Sequence, residues 1–242
     1  MLQTFQPSFI KEIIHHTDHI RSFILEVPSM ERFDFIPGQF VTIELPISER
    51  RSQRLRSYSI ASAPNGTNTF ELLISHKAGG AGTTYLFEQG VAGLEISFRG
   101  PAGSFVLPES LERDICMICT GTGIAPFRSQ IVQLLKSGEP TRNIHLVFGA
   151  RHLQDAIYYD EFTQLAKEHP HFGYHVALSR EHNSGWTGHQ GYVHDLYTEV
   201  SNNGKTDVDF YLCGWKQMIH DAREKIAQLG YGTDRVHLES YD

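Results

Sequence analysis

Thr120-Gly121-Thr122-Gly123-Ile124-Ala125-Pro126-Phe127 decides how this chain is read, because of what flanks it. Ahead of it runs Ile115-Cys116-Met117-Ile118-Cys119, a short apolar run of the kind that forms a buried strand. Behind it, from about Ala125 to Leu135, the pattern is helical. A glycine-rich turn from strand to helix lets backbone approach a phosphate, and the N–H groups and dipole of the helix start favour negative charge. Pro126 suits the first helical turn, where its missing N–H is not needed. The G-x-G letters alone also fit a simple tight turn; the strand–turn–helix setting is what favours phosphate.

The same alternation continues toward the C-terminus. Strands are expected at Ile144 to Phe148, Tyr174 to Leu178, Phe210 to Cys213 and Val236 to Glu239, with helices around Tyr159 to Lys167, Val193 to Val200 and Lys216 to Gln228. Strands alternating with helices imply a parallel sheet covered on both faces. Toward the N-terminus the rhythm is different. Phe23 to Val27, Phe40 to Leu45 and Phe70 to Ile74 are short strand candidates separated by Pro37-Gly38, Pro64-Asn65-Gly66 and Gly79-Gly80-Ala81-Gly82. Such spacing suggests an antiparallel barrel or sandwich. The change of rhythm falls near residues 108–112, so the expected domains are 1–108 and 109–242.

Two further segments carry candidate chemistry. Gly79-Gly80-Ala81-Gly82-Thr83-Thr84 precedes a short helix expected from Thr84 to Glu88, a second turn suited to a phosphate. In Arg56-Ser57-Tyr58-Ser59, Arg56 suits a bidentate phosphate contact and Tyr58 offers a flat ring with a polar tip. Arg56 and Tyr58 share one face if the segment is a strand, which equally describes an amphipathic strand without a ligand. Two separate phosphate-suited turns suggest two nucleotides.

Composition narrows the rest. A formal net charge of -7 argues against nucleic acid as a partner. No apolar run approaches the roughly 20 residues of a membrane span, and Met1 to Phe5 lacks signal-peptide character, so no membrane insertion and a cytoplasmic location are the default expectations. Arg50, Arg51, Arg54 and Arg56 form a local basic cluster, read either as a solvated loop or as a docking patch for an acidic partner. The three cysteines, Cys116, Cys119 and Cys213, fit a reducing compartment. The Cys116/Cys119 pair lies in an apolar strand candidate and reads as buried packing rather than redox chemistry. No metal site is read from the fourteen scattered histidines.

Taken in order, Arg56-Ser57-Tyr58-Ser59, the Gly80-x-x-Thr83 turn, Gly121 to Arg128 and Tyr211-Leu212-Cys213-Gly214 resemble the ferredoxin–NADP reductase family; Pro37-Gly38-Gln39-Phe40 and Glu239-Ser240-Tyr241 also fit. The resemblance spans nearly the whole chain. It implies a two-domain flavoprotein oxidoreductase: an antiparallel β-barrel that binds FAD, with FMN less favoured, then an α/β parallel-sheet domain that binds a nicotinamide dinucleotide.

It implies residue roles as well. Arg56 would hold the flavin pyrophosphate with Ser57 beside it, Tyr58 would pack on the isoalloxazine, and Ser59 would bond near the ring nitrogen that accepts hydride. Gly80, Gly82, Thr83 and Thr84 would cradle the FAD pyrophosphate. Thr120, Gly121, Thr122, Gly123 and Pro126 would bind the dinucleotide pyrophosphate. Cys213 and Gly214 would sit beside the nicotinamide with Glu239 close to the reacting rings. Tyr241 would cover the flavin face where nicotinamide must stack, although here Asp242 follows it. Ser179-Arg180 resembles a clamp for a 2′-phosphate, which favours NADP(H) over NAD(H), although His189 stands where some relatives have a second arginine. The expected partners are NAD(P)H and a small electron carrier, ferredoxin or flavodoxin. The competing readings are the NADH-dependent reductase component of an oxygenase, a free-flavin reductase, and a non-catalytic flavin electron-transfer subunit.

Overall fold

The computed structural model describes residues 4–138, 140–181 and 185–241. The chain forms two compact units, one running to Val106 and including Arg128–Gln133, the other comprising Leu107–Phe127 and the residues from Leu134 onward.

The first unit contains β1 (Gln6–Thr17), β2 (Ile20–Glu26), β3 (Phe40–Glu44), β4 (Leu55–Ser59), β5 (Thr69–Ser75), α1 (Ala81–Gln89) and β6 (Glu95–Ala102). Its six strands pair antiparallel in the order β4-β3-β6-β1-β2-β5. The two end strands meet through a bridge between Ile60 and Leu72, reinforced by the Ala61 N–H donating to the Glu71 carbonyl at 2.8 Å. That closes the sheet into the expected barrel and removes its free edges. Alternating residues send Phe23, Phe70 and Phe98 inward, and Phe33 lies 4.8 Å from Phe70 and 5.6 Å from Phe98, ring to ring. The opposite face of β5 is also buried, which requires its one carboxylate to be matched. Glu71 accepts bonds from Ser22 Oγ at 2.5 Å and from Arg128 Nη1 at 2.9 Å.

The second unit contains β7 (Asp114–Thr120), α2 (Ile124–Lys136, whose residues Arg128–Gln133 belong to the first unit), β8 (Ile144–Ala150), α3 (Tyr159–Glu168), β9 (Phe172–Leu178), β10 (His189–Gln190), α4 (Val193–Val200), β11 (Val208–Trp215), α5 (Lys216–Gln228) and β12 (Val236–Tyr241). All six strands are parallel, in the order β10-β9-β8-β7-β11-β12. Ile115 to Cys119 in central β7 are at most 1% exposed, as a strand covered on both faces must be. From β7 the chain winds outward through β8, β9 and β10, then returns to β11 on the other side of β7. The order therefore reverses between β7 and β11, and in open α/β sheets ligands bind beyond the carboxyl ends of the strands at such a point.

Sequence patterning missed the long β1 and also β6, and set the start of α1 at Thr84 rather than Ala81. The glycine run thus straddles the helix start, with Gly79 and Gly80 ahead of it. From Ala81 it is the helix's own first turn.

Candidate active site

The glycine turn lies at the switch point. Thr120 ends β7, Gly121–Gly123 form one 3-10 turn, and α2 starts at Ile124. A Cβ on Gly123 would stand 2.4 Å from the Cys213 carbonyl oxygen and 2.8 Å from Gly214 Cα. A Cβ on Gly214, which has φ +141°, would meet Thr120 Oγ1 at 2.8 Å. Neither position tolerates a side chain, so the exits of β7 and β11 abut, backbone against backbone. Thr120, Gly121, Thr122, Gly123, Cys213 and Gly214 are thereby brought together, with Pro126 in the first turn of α2 behind them.

The neighbouring ladder adds two more candidates. Cys213 pairs with Cys119 on one side and Glu239 on the other, and Trp215 pairs with Tyr241. Cys213 is fully buried. Burial pushes its thiol well above the ordinary range, the adjacent Glu239 carboxylate adds to the rise, and a hydrogen bond with the Tyr241 side chain pulls the other way. Cys213 is therefore a neutral thiol at physiological pH, unfit as a nucleophile. Cys116 and Cys119 are likewise buried, and all three cysteines are free. Among the described residues, no group of three or more His, Cys, Asp or Glu is placed to hold a metal ion.

Ser179 and Arg180 follow β9, two strands away from the glycine turn. The Arg180 N–H donates to the Arg151 carbonyl at 2.9 Å, so a second arginine stands beside the first at the carboxyl edge of the sheet. Patterning missed Arg151, since an arginine after a strand carries no signal. Gly149 offered a faint one: a glycine within a strand marks close backbone approach, and a Cβ there would lie 3.0 Å from Thr120 Cγ2. Glu181 accepts the Leu153 N–H at 2.8 Å and lies 3.4 Å from His152 Nδ1, so an acid stands at the same edge.

In the barrel unit, Arg56 and the α1 turn come together. A Cβ on Gly82 would meet Cγ and Nε of Arg56 at 3.1 Å each, and Arg56 Nη1 donates to the carbonyls of Gln53 at 2.9 Å and Leu55 at 2.7 Å. The N-cap of α1 is Gly80, with no side-chain cap, so the first helical N–H groups are left for a ligand or solvent. Thr83 Oγ1 accepts from the Lys77 N–H at 3.0 Å and donates to the Gly80 carbonyl at 3.1 Å, so its hydroxyl shapes the turn. The Thr84 N–H closes the first turn on the Gly80 carbonyl. A dinucleotide cofactor fits this pairing of a guanidinium with an uncapped helix start. Along β4, Tyr58 packs partly buried against the barrel core, and burial pushes its hydroxyl up to about 12. Ser57, on the opposite face from Arg56 and Tyr58, bonds Thr42 at 3.0 Å, and Ser59 is 5% exposed.

Two family models match successive parts of the chain. The Oxidoreductase FAD-binding domain family matches residues 9–107 and the Oxidoreductase NAD-binding domain family residues 117–224. A Ferredoxin--NADP reductase B of Sorangium cellulosum is 34% identical over 92% of this chain and 92% of its own length. The Phenol hydroxylase P5 protein of Acinetobacter pittii is 33% identical over 86% of this chain, but the match spans only 58% of that protein. The crystal structure of the Amycolatopsis cytochrome P450 reductase GcoB superposes with a TM-score of 0.85 at 25% identity, covering 98% of this chain and 70% of the other. The fold and the two family matches define a two-domain flavin- and nicotinamide-dependent oxidoreductase. This chain belongs to the ferredoxin–NADP reductase family.

Proposed function

We propose that the protein takes hydride from NADPH onto bound FAD and passes the electrons to a separate small carrier, a ferredoxin or flavodoxin. The observation that carries this reading is the mutual exclusion of side chains at Gly123 and Gly214, which sets a phosphate-suited helix start next to Cys213, Glu239 and Tyr241. One end of that arrangement suits the pyrophosphate of a dinucleotide, the other its ring.

On this reading the glycine turn and α2 hold the dinucleotide pyrophosphate, and Arg180 with Arg151 recognises the 2′-phosphate through charge. The neutral Cys213 and Gly214 bound the nicotinamide ring. Glu239 supplies negative charge near the carbon that gives up hydride. Tyr241, hydrogen-bonded to Cys213, would cover the place where the nicotinamide must stack. Arg56 and the start of α1 hold the FAD pyrophosphate, Tyr58 packs on the isoalloxazine, and Ser59 donates near the hydride-accepting nitrogen. When bound, the flavin supplies a two-electron acceptor that can release electrons singly. The protein's share would be positioning, because the cofactors supply the chemistry.

A second reading, the NADH-dependent reductase component of an oxygenase, is favoured by Glu181, because an acid near the adenosine ribose prefers hydroxyls to a phosphate. The two separate on kcat/KM for NADPH against NADH. At least a tenfold preference for NADPH, falling toward parity in Arg180→Ala and Arg151→Ala, is expected. A tenfold preference for NADH overturns the phosphate clamp.

A further inference from the structure

Trp215 is left without a task by the reading above. It is 71% exposed, although every other residue of β11 is buried or half-buried. Single exposed apolar residues are ordinary, so exposure alone says little. Its place says more. It follows Gly214 directly, at the point where β11 hands over to α5, and in the β11–β12 ladder it stands opposite Tyr241, two positions beyond the Cys213–Glu239 pair. The ladder sets Cys213 beside Glu239 and Trp215 beside Tyr241, so the four residues form one patch at the carboxyl ends of β11 and β12. The hydrogen bond between Tyr241 and Cys213 agrees with that arrangement.

The chemistry of the patch is selective. An oxidised nicotinamide ring is a cationic pyridinium, whereas the reduced ring is neutral. The face of an indole is the best aromatic partner for a cation. Glu239 adds a carboxylate to the patch, and Cys213, held as a neutral thiol, adds no charge.

We propose that Trp215 forms a wall of the nicotinamide subsite and recognises the positive charge of the oxidised ring, so that the site holds NADP+ more tightly than NADPH. The proposal rests on the reading that places nicotinamide at Cys213, and it adds a direction. A site that prefers the oxidised ring makes bound NADPH a readier hydride donor, at the cost of slower release of NADP+. The preference from one such contact is roughly fivefold.

The two tryptophans of the chain make the test clean. Trp186, whose Nε1 donates to the His189 carbonyl at 3.1 Å, lies in the segment between β9 and β10. The flavin-loaded Trp186→Phe and Trp215→Phe variants each keep one indole. Oxidised nicotinamide mononucleotide should quench the fluorescence of Trp186→Phe and leave that of Trp215→Phe unchanged. Trp215→Leu should raise the Kd of NADP+ about fivefold and that of NADPH less than twofold, and Trp215→Tyr should restore most of the difference. Equal changes in the two constants, or quenching confined to Trp186, would overturn the role of Trp215 while leaving nucleotide binding intact. Failure of the wild-type protein to bind either nucleotide would overturn the underlying reading and this one with it.

Discussion

A Cβ on Gly123 has nowhere to go, with the Cys213 carbonyl oxygen at 2.4 Å and its carbon at 2.7 Å. Both obstacles are backbone, so relief requires β7 and β11 to shift at the switch point. Gly121, two residues earlier in the same turn, is the contrasting case: φ is +54° and nothing lies within 4 Å of its Cβ position. Gly121→Ala should cost only the strain of a left-handed alanine, about 1–2 kcal/mol. Gly123→Ala should cost a comparable 1–3 kcal/mol from overpacking and, in addition, should weaken NADPH binding by an order of magnitude or more with flavin content unchanged. Calorimetry with nucleotide titration reads both. Wild-type affinity in Gly123→Ala would mean that the abutting strand exits do not shape the nucleotide site.

Among the elements, β8 and β9 carry a feature outside the redox site. His145 Nδ1 and His175 Nε2 lie 3.1 Å apart across the parallel pair, and a Cβ on Gly173 would crowd both rings. Burial lowers both histidines. For His145, brought down to about 4, the neighbouring His175 lowers it further and Asp114 opposes; for His175, Glu199 opposes. Both are neutral in the folded state, whereas the unfolded chain takes up protons near pH 6.5. Stability from this pair is therefore fully present above about pH 6.5 and declines as pH falls below it; His145 alone, brought down to about 4, contributes a loss of roughly 1 kcal/mol per pH unit over that range. Urea midpoints between pH 7 and 4.5 should fall with this slope, and His175→Gln should flatten it; an unchanged slope would assign the acid sensitivity elsewhere.

These elements also show what was legible in sequence. The central strand β7 and the helices α2 to α5 announced themselves because burial on both strand faces and one apolar helix stripe leave strong periodic patterns. β1 did not, since its second half is largely exposed and its pairing with β2 shifts register between Ile10 and Glu12. The residues at both glycine turns were legible through the resemblance and their letters. Arg151 was not, because its place beside Arg180 arises only from pairing β8 with β9 in register. Trp215 was passed over for the same reason: its meaning comes from the strand opposite.

Across the whole molecule, a net charge of -7 coexists with the arginine cluster before β4. The structure neutralises part of that cluster. Arg51 lies 3.4 Å and Arg54 3.9 Å from Glu44, and Arg51 sits over the Phe5 ring at 5.2 Å. If the remaining charge steers an acidic carrier, replacing Arg50, Arg51 and Arg54 with Gln should slow carrier reduction at low salt and leave hydride uptake unchanged. Equal rates at every ionic strength would remove the cluster from docking.

On the proposed function, one chain accepts hydride from a nicotinamide nucleotide onto its own bound flavin. Anaerobic addition of one equivalent of NADPH to the purified protein tests it most directly. The visible absorption band of the bound flavin should bleach in step with the nucleotide added. A flavin that stays oxidised in the presence of excess NADPH and NADH, yet bleaches with dithionite, would contradict it.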